Sequence, residues 1–398
     1  MTTTTDRPVL APDIPTTLPD DGCAGTLVGR VWRPEHGGPS PVLIRADGVF
    51  DLAASFATVR DLMETDDPAA AARGAAGERI GSLAELLANT PPAGRNPERP
   101  WLLAPIDLQA VKAAGVTFAV SMIERVIEER VHGDPDAAAA MRDQILSEIG
   151  VELGDLTPGS AEAQSLKQYL VAEGLWSQYL EVGIGVDAEI FTKAPVMAAV
   201  GTATAVGVLS TSSWNNPEPE VVLVVDSRGR IRGAALGNDV NLRDIEGRSA
   251  LLLGKAKDNN ASCAIGPFIR LFDATFDLDT VRSMVVSLDI LGVDGFRVRG
   301  TSRMSQISRD PADLVAQLMG RHHQYPDGAI LMLGTMFAPV DDRAEPGRGF
   351  THRQGDVVAI SSAELGTLVN QVQASEECDP WEFGIGSLMR NLAARSLL

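Results

Sequence analysis

The chain has 398 residues, 44% of them hydrophobic, and a formal net charge of −19. That size suits one large domain or two with a sizeable core, and the acidity excludes a broad nucleic-acid surface, which needs a basic face. Three scattered cysteines, Cys23, Cys263 and Cys378, argue against a disulfide framework and fit a cytoplasmic protein, while the lack of a long apolar run or a signal-peptide pattern predicts no membrane association.

Residues 1–20 carry four prolines and six threonines and read as a flexible tail. Short strands over 26–32 and 41–52, then short helices over 56–65 and 80–87, make 21–100 a small N-terminal α+β domain. Pro91, Pro92, Gly94, Pro97 and Pro100 predict a linker, so a second domain is expected over 101–398. It opens with a strand-like stretch, 115–120. Ser121 and Glu124 have capping-box spacing, and Met122, Ile123, Val126, Ile127 and Val131 recur at helical period. Asp134-Pro135 predicts a further helix start, and an amphipathic helix is expected over 161–181. Residues 121–181 therefore read as a helical insert. From Gly183 onward short strands dominate, giving an α+β, β-rich fold. Gly247 and Gly254-Lys255 lack phosphate-loop spacing, and Gly183-Ile184-Gly185 lacks the third glycine of a dinucleotide fingerprint.

The densest chemistry lies at 217–239. Pro217-Glu218-Pro219-Glu220 leads into an apolar run, Asp226-Ser227-Arg228-Gly229 is a turn, and 230–237 runs back, which predicts a β-hairpin. Glu218 and Glu220 are two apart and share a face. A reversal at Arg228-Gly229 puts Asp239 opposite Glu218, with cross-strand Cβ atoms about 5 Å apart. Three converging carboxylates repel one another unless a proton or a cation intervenes, and an all-oxygen set suits Mg²⁺, Mn²⁺ or Ca²⁺. The competing reading is a solvated acidic edge strand, which Pro217 and Pro219 would also fit.

Trp214-Asn215-Asn216-Pro217-Glu218-Pro219-Glu220, Gly237-Asn238-Asp239-Val240, Lys257 nine residues before Gly266-Pro267, Gly334-Thr335 and Gly355-Asp356-Val357-Val358 together resemble the fumarylacetoacetate hydrolase superfamily. The resemblance implies a mixed β-roll catalytic domain, often preceded by a small accessory domain, and assembly as a homodimer or homotetramer. It implies Mg²⁺ on Glu218, Glu220 and Asp239, substrate contact by Lys257, and a carboxylate-binding Thr335. Compact family hydrolases carry a Tyr, a His and a Glu in the lid segment. Here Ser121, Glu124 and Arg125 stand in that region, with no His before His132, so the family's water-activating pair is absent. Ser121, Arg125, Trp214 and Asn238 are further candidates for substrate contact, and Glu124 for general acid or base.

The run 104–118 and the long insert resemble the 2-keto-3-deoxy-pentonate (xylonate or arabinonate) dehydratase branch. The expected activity is Mg-dependent dehydration of a small anionic 2-oxo acid, a 2-keto-3-deoxy sugar acid, to 2-oxoglutarate semialdehyde, with Lys257 and Glu124 as catalytic groups. The alternatives are an acylpyruvate or fumarylacetoacetate-type C–C hydrolase, and a non-catalytic metal- or sugar-acid-binding protein on the same fold.

Overall fold

The computed structural model describes residues 10, 12–132, 134, 137–138, 156–172, 174, 176–337, 341–343 and 349–398. The strand Pro219–Val225 is apolar at every position after Glu220 and buried throughout. Such a continuous run marks a strand covered on both faces. Val221, Leu223 and Val225 pack into one core with Val286, Leu288, Ile290, Val358, Ile360 and Leu368. Val222 and Val224 pack into another with Val28, Leu43, Leu62, Ile265 and Met332. The acidic-edge reading fails here, because this strand is central. Pro219 is tolerated because it is the strand's first residue, where pairing to Ala329–Met332 has not begun.

Around this strand lies an eleven-stranded sheet. The antiparallel partner is Ile231–Asp239, followed outward by Cys263–Leu271, Leu27–Arg33, Gly38–Arg45, Gly48–Asp51 and Glu78–Gly81. On the other side come Ala329–Met332, Ala110–Ala114, which runs parallel to it, and Ile190–Ala194. A five-stranded sheet of Arg297–Arg303, Val285–Leu291, Val357–Ser362, Gly366–Ala374 and Thr204–Val208 covers the opposite face of the hairpin. The fold is mixed α+β and rich in sheet, as expected.

Several local expectations are corrected. Residues 21–100 do not stand apart from the sheet: Leu27 and Val28 pair with Arg270 and Ile269 across the expected boundary, and Arg30–Trp32 with 101–103. The linker is pinned by Asn89, whose amide donates to the carbonyls of Asn96, Arg99 and Pro100. Part of the expected tail is ordered, since Asp13 caps a helical turn, Ile14–Thr17, and Asp20 N–H donates to Ala363 O. The strand near 115 is instead Ala110–Ala114. Residues 161–181 form two helices, Ala161–Ala172 and Gln178–Ile184, the second capped by Ser177. The helix expected to open at Asp134-Pro135 falls largely outside the described residues. No helix among the described residues is long and apolar enough to cross a membrane.

Leu223 is fully buried in the core between the two sheets. Leu223→Ala should lower stability by about 3 kcal/mol, read as a lower urea midpoint with an unchanged slope.

Candidate metal and substrate site

The hairpin positions the acids. Its link is longer than a two-residue turn: Asp226 N–H bonds Arg230 O, and Gly229 takes φ +78°. A bulge between Val224 and Val225 then restores the expected register. Pro219 pairs with Asn238 and Glu220 with Gly237, and Asp239 N–H donates to Glu218 O at 3.0 Å. Glu218, Glu220 and Asp239 each present a carboxylate oxygen within 4.8 Å of the others. Their exposures of 5%, 2% and 1% leave solvent no part in screening that repulsion.

Cationic and N–H groups meet the acids. Lys257 Nζ lies 2.5 Å from Glu218 Oε2 and 3.1 Å from Asp239 Oδ2. Lys193 Nζ lies 2.8 Å from Asp239 Oδ1 and donates to Val240 O at 3.0 Å. It is aimed inward by the local irregularity in which Ala194 pairs with Val111 and Thr192 with Lys112, leaving Lys193 as the extra residue. Arg125 Nη2 pairs with Glu218 Oε1. Glu220 Oε2 accepts from Gly334 N–H at 2.7 Å. That bond needs glycine, because residue 334 has φ +86° and a Cβ there would lie 2.1 Å from Thr117 Oγ1.

The titration pattern follows. Burial, then Asp239 and Glu218, push the Glu220 carboxyl well up. Burial opposes ionisation of Asp239, but Lys193 and Lys257 outweigh it and hold its carboxyl down. Burial also works against the Lys257 charge, yet Asp239, Glu218 and Glu246 hold its ammonium above the ordinary lysine range.

The small cleft over these groups is lined by Ala114, Gly115, Val116, Ser121, Arg125, Glu189, Phe191, Glu218, Glu220, Asp239, Glu246, Lys257, Gly334 and Thr335. The structure therefore brings together Ser121, Arg125, Lys257, Thr335 and the three acids. Trp214 and Asn238 are not in the cleft. Asn238 neighbours Asp239 on a strand and so points to the other face; its Oδ1 accepts from Glu218 N–H at 3.2 Å and braces that residue. Trp214 lies under the Arg243 guanidinium, 4.2 Å from its ring centre.

Glu124 is also outside the cleft, and the capping box is not formed. The helix Ala119–Arg130 is capped by Phe118, without a side-chain bond, and Ser121 Oγ turns back to Phe118 O at 2.9 Å. Ser121 and Arg125, four apart, face the cleft together. Glu124 and Glu128, also four apart, take Arg243 Nη2 at 3.1 Å and Nε at 2.6 Å. Cys263 is buried, and burial pushes its thiol up to about 12, which suits a filler.

Two acids escaped the sequence reading. Glu246 follows the hairpin on the short helix Arg243–Glu246 and pairs with Arg125 Nη1 at 3.0 Å. Glu189 precedes the strand Ile190–Ala194, two residues before Phe191, which also lines the cleft. That two-residue spacing was the available signal. Burial, then Glu246, raise the Glu189 carboxyl to about 7. Among the described residues, Arg125, Lys193 and Lys257 are the cations paired with the cleft's acids. The convergent buried oxygen donors fit one divalent ion held by Glu218, Glu220 and Asp239.

Residues 216–373 match the family model described as fumarylacetoacetate (FAA) hydrolase C-terminal. A 2-dehydro-3-deoxy-D-arabinonate dehydratase of Saccharolobus solfataricus is 32% identical over 195 residues, 49% of this chain and 62% of that protein. A probable 2-keto-3-deoxyxylonate dehydratase of Haloferax volcanii is 33% identical over 184 residues, 46% of this chain and 60% of that protein. The chain thus matches about three fifths of the length of these relatives. A solved 2-keto-3-deoxy-D-arabinonate dehydratase in complex with magnesium and 2,5-dioxopentanoate superposes with a TM-score of 0.61 at 22% identity, over 87% of this chain and 99% of that one, a likeness of fold.

Burial and Glu246 raise the Glu189 carboxyl to about 7, so its own contribution to stability is lost as pH rises from about 4 through 7. In chelator, Glu189→Gln should match wild type near pH 4 and exceed it by roughly 2–4 kcal/mol at pH 8, measured by urea unfolding at both pH values.

Proposed function

We propose that this chain, which belongs to the fumarylacetoacetate hydrolase family through residues 216–373, is a metal-dependent dehydratase of a 2-keto-3-deoxy sugar acid. The observation that carries the reading is the buried trio of Glu218, Glu220 and Asp239, with Lys257 on one side and a further acid, Glu189, in the same cleft. The names of the two relatives, a 2-dehydro-3-deoxy-D-arabinonate dehydratase and a probable 2-keto-3-deoxyxylonate dehydratase, support that substrate class.

A divalent ion on the trio, Mg²⁺ by analogy with the magnesium complex of the solved relative, would supply Lewis acidity to a chelating 2-oxo acid. The remaining work belongs to the chain's own groups. The Thr335 hydroxyl holds the substrate carboxylate. The Lys257 ammonium, kept charged by its acidic neighbours, stabilises negative charge growing on the C2 oxygen as C3 loses a proton. Glu189 lines the cleft beside these groups and is the carboxyl placed to act as general acid–base. As carboxylate it takes the C3 proton, and as acid it gives that proton to the departing C4 hydroxyl. One water leaves, no net proton is exchanged, and the unsaturated C5 alcohol isomerises to 2-oxoglutarate semialdehyde. Glu189 replaces Glu124 in this role, since Glu124 is tied to Arg243 outside the cleft.

The same acid would serve a C–C hydrolase by activating water, so the test pairs two substrates. With Mg²⁺, the protein should convert 2-keto-3-deoxy-D-xylonate or -arabinonate to semialdehyde and leave an acylpyruvate intact. Excess chelator, Glu218→Gln and Glu220→Gln should abolish turnover, and Glu189→Gln should lower kcat by at least about a hundredfold. Faster acylpyruvate cleavage would make the chain a hydrolase, and ion and ligand binding without turnover a binding protein. A cytoplasmic homodimer or homotetramer completes the proposal.

A further inference from the structure

Arg125 stands apart from the other cations of the site. Its Nη2 pairs with Glu218 Oε1, while its Nη1 sits 2.6 Å from Glu128 Oε2 and 3.0 Å from Glu246 Oε2. Glu218 therefore has both oxygens committed to cations, Arg125 on one and Lys257 on the other. A divalent ion gripped by Glu218, Glu220 and Asp239 competes with those cations for the same lone pairs and repels them at short range.

The two cations are not equally able to yield. Lys257 is 3% exposed, and its two ion pairs are both to members of the trio. Arg125 keeps two carboxylate partners on its other nitrogen, so it can release Glu218 without becoming an unpaired buried charge. One of those partners is itself anchored: Glu128 also holds Arg243 Nε at 2.6 Å. The Arg125 side chain is 14% exposed and lines the cleft, so an Nη2 released from Glu218 faces the space the substrate enters. A guanidinium donor suits a carboxylate or hydroxyl oxygen there.

We propose that Arg125 is an exchangeable counter-cation of Glu218: the divalent ion displaces it, and the freed Nη2 then takes an oxygen of the substrate. The ion must bind first, and the helix Ala119–Arg130, which carries Arg125, loosens from the hairpin when it does. This inference rests on the metal reading above.

The test uses the whole chain. Mn²⁺ titrated calorimetrically into Arg125→Met should bind roughly tenfold more tightly than to wild type, because a competing charge is gone, while the KM of the 2-oxo acid rises at least about tenfold. Equal or weaker Mn²⁺ binding by the folded variant overturns the inference. Arg125→Met leaves Glu128 and Glu246 short of a partner, so wild type is followed independently by hydrogen exchange. Saturating Mn²⁺ alone should speed exchange of amides over 121–130, and unchanged exchange overturns the exchange of partners. Failure of wild type to bind Mn²⁺ removes the metal reading and this inference together, whereas equal affinity in both proteins removes this inference alone.

Discussion

Three carboxylates held within 4.8 Å of one another, out of reach of solvent, set the terms for the rest of this protein. Like charges at that distance in a medium of low effective dielectric cannot all persist uncompensated. The surroundings are arranged accordingly. Lys257 bridges Glu218 and Asp239, Lys193 reaches the other oxygen of Asp239, and the Gly334 amide supports Glu220. Even so, the three carboxylates keep their oxygens directed at one point, the arrangement a divalent ion takes.

The fold explains how such a site can be built at all. The hairpin strands have apolar faces buried against two separate cores, so the backbone that carries the acids is rigid. The acids sit at the strand ends, where the apolar run stops and the chain turns away. Helix Ala119–Arg130 closes the site from the side through Arg125, with Glu124, Glu128 and Arg243 forming a buried clasp behind it. Breaking one member of that clasp would strand a buried charge, which is costlier than the clasp's own contribution to stability.

Much of this was legible in the residues. The convergence of Glu218, Glu220 and Asp239 follows from strand alternation and one turn, and it survived a longer link because the bulge at Val224 and Val225 restored the register. The clustering of Lys257 and Thr335 with the acids followed the family resemblance. What could not be read was long-range. Glu189 and Glu246 reach the cleft from different elements, and nothing local marks them beyond the spacing of Glu189 and Phe191. The capping box at Ser121 and Glu124 had the right spacing, but Phe118 took the cap and Glu124 found Arg243 instead. The apparent N-terminal unit looked separable because prolines dominate 91–100; pairing of Leu27 and Val28 with Arg270 and Ile269 depends on residues more than two hundred positions away.

The central claim is that the acid trio grips one divalent ion. It is tested most directly by anomalous diffraction from crystals grown with Mn²⁺. The account predicts a single strong peak within about 2.0–2.4 Å of a carboxylate oxygen from each of Glu218, Glu220 and Asp239. Crystals at millimolar Mn²⁺ with no peak there, or with the ion bound elsewhere, would contradict it.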